Sequence, residues 1–222
     1  MHERESSTAT FLFADIAGFT ALTETHGDEQ AAKIVERFCD AVADDLHRFD
    51  ATHVKTIGDA VMLRIPDPAQ AVLLGLRIAL DLLRGSRAPA IRVGLHHGPA
   101  IERDGDYFGA AVNLAARVSA AATGGEVLLT GQTAALAGNV EGVRYESRGC
   151  PELRNVREPV ELIAAIRAGQ TTAHRLTIDP VCRMAVDPKS AAGRLVIDDT
   201  VYFFCSLACA GEFARQPEQF VE

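Results

Sequence analysis

The stretch FLFADIAGFT, residues 11–20, decides how this chain is read. Up to Gly18 it is apolar apart from Asp15, with no polar alternation, the pattern of a strand covered on both faces. A carboxylate in such a strand costs several kcal/mol unless something pairs with it. Something must therefore compensate Asp15, which without a partner would be an under-paired charge that destabilises its own domain.

Outward from this strand the elements follow in a recognisable order. From Asp28 the apolar positions Ala31, Ile34, Val35, Phe38, Val42, Leu46 and Phe49 recur every three or four residues. That period predicts a long amphipathic helix with Asp28 as its N-cap and Cys39 on its apolar face as a core residue. THVKTIGDAVMLRI (52–65) holds two short β-rich runs around IGD and reads as a hairpin. A second helix spans about 67–84 and ends near Gly85. AIRVGLHHGPAIERDGDYFG (90–109) reads as a strand pair in which His96 and His97 have structural roles. A helix over 109–122 stops at TGG, and EVLLT, GVRYES and PVELIAAI supply the last strands. The order β-α-β-β-α-β with additions predicts an α+β, ferredoxin-like βαββαβ sandwich.

The 222 residues leave room for one full domain and a small second one. A net charge of −8 argues against broad nucleic-acid or anionic-membrane binding, which needs a basic face. The polar start MHERESSTAT lacks the apolar core of a signal peptide. The longest apolar run (71–83) is broken by Arg77 and Asp81 and falls short of the roughly 20 residues of a membrane span. These features predict a cytoplasmic protein that binds neither nucleic acid nor membrane. Thiols stay reduced there, so the five cysteines read as core residues or metal ligands before disulfides.

Asp59, in the hairpin turn, is a second carboxylate at a strand end. Carboxylates on neighbouring strands can hold hard divalent cations, and Mg²⁺ typically takes only one or two of them plus substrate phosphates. On residue types alone, two solvated strand-end aspartates remain the alternative. The motifs FLFADIAGFT, VKTIGDAVM, VGLHHGPA and GDYFGAAVNLAARV, in this order and spacing, resemble the successive signatures of a class III adenylyl/guanylyl cyclase catalytic domain, over residues 8–166.

The resemblance implies a role for each matching residue. Asp15, Asp59 and the backbone carbonyl of Ile16 would bind two Mg²⁺ or Mn²⁺ per active site. Lys55 and Asp106 would read the purine, Asn113 would orient the ribose, and Arg117 would stabilise charge on the reacting phosphate. Arg154, followed by Asn155, stands where the family often has a phosphate-directed Lys before a Gly. Lys55 can only donate and ionised Asp106 only accept, which fits the N1 acceptor and 6-amino donor of adenine and mismatches guanine. The implied enzyme is a homodimeric adenylate cyclase, a phosphorus-oxygen lyase that makes 3′,5′-cyclic AMP and pyrophosphate from ATP. Each site would combine the carboxylates of one copy with the other four residues of its partner. The alternative is a catalytically weak nucleotide-binding or metal-sensing protein that uses the fold as a dimeriser.

Composition shifts at a polar linker, residues 167–174. In the unit that follows (175–222), RLVIDDTVYFFC predicts a hairpin turning at Asp198-Asp199, and SLACAGEFARQ a short helix. So small a unit buries little core and is expected to need a staple. Cys205 and Cys209 share a helix face at i, i+4, and with Cys182 offer three thiolates suited to Zn²⁺ or Cu⁺. Three buried core cysteines are the alternative. DPVCRM and VYFFCSLACAGEF resemble a YHS domain, with Arg183 where that family usually has Gly. His174, Met184 or a water are the candidates for a fourth ligand, Cys150 fits no pattern, and metal binding here is expected to regulate the cyclase.

Overall fold

The structure is a computed structural model that describes residues 6–82, 88–169 and 177–221. Strand β1 (Ser6–Ile16) pairs antiparallel with β3 (Ala60–Ile65) on one side and β5 (Ile91–Arg103) on the other, and β2 (Thr52–Ile57) flanks β3. With β5 counted as the fourth strand, this is the order 2-3-1-4 of the expected βαββαβ arrangement. Beyond β5 the sheet continues through β7 (Val127–Thr130), β9 (Leu162–Arg167) and β8 (Val143–Ser147), while β6 (Asp106–Phe108) folds back onto β5.

Pleating divides the side chains of β1 between two layers. Leu12, Ala14 and Ile16 pack with α2 (Asp28–Asp45) and α3 (Pro68–Leu80). Ala9, Phe11 and Phe13 pack with Ala111, Val112 and Ala115 of α4 (Ala110–Ala121). Burying a Phe or Leu here contributes about 1.5–3 kcal/mol each, so the apolar run is explained by two covered faces. Helix α4 lies directly on β5 because residue 94 is Gly: a Cβ there would stand 2.0 Å from the Ser119 backbone nitrogen. That contact fixes the height of α4 and with it Asn113 and Arg117.

Three local expectations change. Asp28 is the first residue of α2 rather than its cap; Gly27 holds the N-cap position, and Asp28 and Glu29 place negative charge at the positive end of the helix. A further helix, α1 (Phe19–His26), precedes α2, too short and too closely bounded by Gly18 and Gly27 for a period to show. Helix α3 ends at Leu80, and the predicted end near Gly85 lies outside the described residues. The IGD hairpin turns through Gly58 and Asp59. His96 is buried against Thr130 (Nδ1 to Oγ1, 2.9 Å), which pushes its pKa down to about 4, and His97 bonds Thr10 Oγ1 at 3.0 Å.

Residues 170–174 of the predicted linker are outside the described set. Beyond them β10 (Thr177–Ile178) and β11 (Met184–Val186) join β4 (Ala88–Pro89) in a second sheet, so the C-terminal unit is stitched to the segment just before β5. β12 (Gly193–Ile197) and β13 (Thr200–Phe204) form a hairpin whose turn residues Asp198 and Asp199 have φ of 46° and 61°. Two successive left-handed residues match the twist of a tight hairpin. Helix α5 (Leu207–Arg215) is capped by Ser206, and Phe213 packs on Tyr202, Phe204 and Phe220. Among the described residues no helix is long and apolar enough to cross a membrane.

Candidate active site

Asp15 is the last residue but one of β1, opposite Ala60 on one neighbour and Arg92 on the other. Asp59 sits in the turn between β2 and β3, beside the Asp15 carboxylate. Burial, and then the neighbouring Asp15 carboxylate, push the Asp59 carboxyl up to about 6. Two carboxylates held side by side, one of them reluctant to ionise, form an oxygen donor set that a hard divalent cation fits.

Asp15 is not under-paired. The Arg92 guanidinium donates from Nε to Asp15 Oδ2 at 2.7 Å, and Nη2 reaches the same oxygen. Asp15→Asn therefore strands the Arg92 guanidinium instead of relieving a lone charge. Arg92→Ala leaves Asp15 and Asp59 adjacent and uncompensated, and should lower metal-free stability by about 1–3 kcal/mol. Chemical denaturation with and without Mg²⁺ checks this: the deficit should shrink when the cation replaces the guanidinium. Unchanged stability without metal would contradict the pairing.

Lys55 on β2 and Asp106 on β6 meet at 2.7 Å (Nζ to Oδ2), both about one-third exposed. The hydrogen bond from Lys55 holds the Asp106 carboxyl below its usual range. The Lys55 ammonium also lies 5.6 Å from the Phe108 ring centroid. Around the pair Ile57, Ile101 and Phe108 are 53%, 40% and 49% exposed, a run of large apolar side chains facing outward beside a charged pair.

Asn113 and Arg117 stand one turn apart on α4, Asn113 exposed and Arg117 half-buried. Among the described residues neither makes a side-chain hydrogen bond or ion pair, and none joins Asp15 or Asp59 to Lys55, Asp106, Asn113 or Arg117. The Asp15–Asp59 pair and the Lys55–Asp106 pair are two separate sets on one chain. Ile16 is buried beside Asp15, and Arg154 is exposed on a turn whose next residue, Asn155, has φ 62°. Asn tolerates that left-handed conformation better than other non-Gly residues, so the turn survives without Gly.

The three C-terminal cysteines converge. Cys182 Sγ is 3.3 Å from Cys205 Sγ, which is 3.7 Å from Cys209 Sγ, and all three are buried. A disulfide needs about 2.05 Å, so these are thiols in contact. Hydrogen bonds from Cys182 and then Cys205 pull the Cys209 pKa down, and Cys182 correspondingly keeps its proton. The carboxylate of Asp179, fully buried, accepts from the backbone N–H of Val181 (2.9 Å) and of Cys205 (2.8 Å), tying the two cysteine-bearing loops together. His174 is outside the described residues, and Met184 lies in the core. Among the described residues, the one that reaches the thiols is His26, at the end of α1. Cys150 is exposed and apart, and Cys39 packs half-buried against the core.

His26, Arg92 and Asp179 escape sequence reading for one reason: each acts on a segment far away in the chain. Only Asp179 has a local signal, since Asp-Pro ahead of Val-Cys marks an Asx-type turn.

The sequence profile of the adenylate and guanylate cyclase catalytic domain matches residues 1–163, and the chain belongs to that family. A pH-sensitive adenylate cyclase of Mycobacterium tuberculosis is 35% identical over 165 residues, covering 73% of this chain and 41% of the relative. An adenylate cyclase of Streptomyces griseus is 38% identical over 119 residues, or 54% of this chain and 30% of its own length. The chain thus spans less than half of the curated relatives it matches. Among solved structures, the adenylyl cyclase CyaB from P. aeruginosa superimposes with a TM-score of 0.65 at 22% identity, over 76% of this chain and 98% of that one. A Trypanosoma brucei adenylate cyclase in its monomeric state does so at 0.64 and 25%, over 73% and 89%.

Proposed function

We propose that this chain is an adenylyl cyclase that converts ATP to 3′,5′-cyclic AMP and pyrophosphate at sites shared between two copies of itself. The observation that carries the reading is the division of the six residues into two complementary sets on one chain. The Lys55–Asp106 pair presents one donor and one acceptor to the adenine edge, and the Asp15–Asp59 pair offers oxygen ligands elsewhere. Two Mg²⁺ or Mn²⁺, held by Asp15, Asp59 and the Ile16 carbonyl, would acidify the ribose 3′-hydroxyl and neutralise the leaving phosphates. Asn113 orients the ribose, one helical turn from Arg117, whose planar donor fork meets charge growing on the α-phosphoryl oxygens. Arg154 approaches the phosphates from its turn. The exposed Ile57, Ile101 and Phe108 beside Lys55 and Asp106 supply apolar area for the partner copy.

The domain reading is a catalytic domain over 8–166 and a YHS-type metal-binding unit over 175–222, with Cys182, Cys205 and Cys209 taking Zn²⁺ or Cu⁺. The cytoplasm, where such thiols stay reduced, is the proposed location. The test incubates the full chain with Mn²⁺ or Mg²⁺ and ATP or GTP and resolves the products by chromatography. Cyclic AMP with matching pyrophosphate, in clear excess over cyclic GMP, is expected. Tight nucleotide binding without cyclic product would instead support the dimeriser reading.

A further inference from the structure

We propose that His26 completes, with Cys182, Cys205 and Cys209, a four-ligand Zn²⁺ centre that fastens the C-terminal unit to helix α1 of the catalytic domain. The ligand atoms of these four residues all lie within 4.8 Å of one another. A tetrahedral zinc with bonds of about 2.3 Å to sulfur sets its sulfurs about 3.8 Å apart, and the two observed separations are 3.3 and 3.7 Å. Three thiolates with one imidazole is a structural-zinc set, closed to solvent ligands, whereas Cu⁺ has less use for a fourth ligand.

Two independent features point to the same place. Nε2 of His26 is buried and has no hydrogen-bond partner among the described residues. A buried ring nitrogen left so is uncommon and calls for a ligand. Asp179, not itself a ligand, ties the Cys182 and Cys205 loops through backbone N–H groups, the kind of outer support that holds ligand loops in register.

The fourth ligand comes from a different part of the chain, and that gives the centre a mechanical consequence. Helix α1 begins just after Asp15 and Ile16, at the Gly18 turn, and ends at His26. The aliphatic part of Arg183, next to Cys182, lies over Gly18 so closely that a Cβ there would come within 2.5 Å of Arg183 Cγ. The C-terminal unit therefore grips α1 at both ends, by packing at Gly18 and through the metal at His26. Zinc occupancy sets how firmly the segment leading out of Asp15 is held. The inference rests on the reading of the thiol cluster as a metal centre and not on the nucleotide that the catalytic domain takes.

The test uses the full chain, reduced and stripped of metal, and needs no cyclase assay. Zn²⁺ affinity is measured by competition, Co²⁺ absorption reports the ligand set, and amide hydrogen exchange is followed over residues 17–27. We expect one tetrahedral ion per chain. His26→Ala should weaken Zn²⁺ by at least about 10-fold, taking the loss of an outer-shell partner as the lower bound, and should shift the Co²⁺ ligand-field bands. His26→Cys should restore affinity and add a fourth thiolate to the charge-transfer absorption, which keeps the test decisive if His26→Ala fails to fold. Zinc should slow exchange over 17–27 in the parent. Equal affinity and spectrum in His26→Ala, no extra thiolate absorption in His26→Cys, protection confined to 177–221, or no metal uptake would each overturn the proposal.

Discussion

The double variant Lys55→Glu, Asp106→Ser is expected to shift the ratio of kcat/KM for ATP over GTP by about 10²–10⁴-fold toward GTP, since it reverses two hydrogen-bonding contacts worth about 1–3 kcal/mol each. Adenine offers an acceptor at N1 and a donor at its amino group; guanine offers a donor at N1 and an acceptor at O6. Glu at 55 accepts from the guanine N1–H, and the Ser hydroxyl at 106 donates to O6. The 2.7 Å ion pair of the parent is lost, but both groups are about one-third exposed, so its contribution to folding is small and stability should change little. Asp106 Oδ1 also accepts from the Tyr107 N–H at 2.8 Å, a local bond that a Ser hydroxyl can take over. Steady-state rates with each nucleotide check the shift. A folded double variant that kept the parental preference would mean that the base is read elsewhere.

The sequence made part of this architecture legible, and the division follows a physical line. Elements with a period or a turn of their own were readable: the doubly buried β1, the apolar stripe of α2, the glycine turn at 58 and the Asp198-Asp199 hairpin. Asp15 was readable because its carboxylate stands out against an apolar strand, whereas Lys55, Asp106, Asn113 and Arg117 were candidates only through the family resemblance. Helix α1 was not, being eight residues between two glycines, nor was β4, two residues that become a strand only by pairing with β11. Arg92 looked like an ordinary strand residue, and only the antiparallel register opposite Asp15 makes it the partner of that carboxylate. His26 had no local signal at all, because its neighbours are brought to it by a unit more than a hundred residues further on.

The second large effect follows from the separation of the Asp15–Asp59 pair from Lys55, Asp106, Asn113 and Arg117. On the proposed roles Asp15→Ala would remove a cation ligand and Arg117→Ala a donor to the transition-state charge, and each alone should lower kcat by about 10²–10³-fold or more. On the proposed shared-site reading, a two-fold symmetric dimer takes the carboxylates of each site from one copy and its Arg from the other. A mixed dimer of the two variants therefore has one site lacking both groups and one site with all six residues intact. Random exchange of equal amounts makes half of the dimers mixed, so total activity should return to about a quarter of the parent. The control is each variant alone at the same total concentration, with subunit exchange followed by two distinguishable labels.

This mixing of Asp15→Ala with Arg117→Ala tests the shared-site account most directly. Recovery to about a quarter of parental cyclic AMP production is the predicted result; a mixture as inactive as its components, with exchange demonstrated and the parent active, would contradict it.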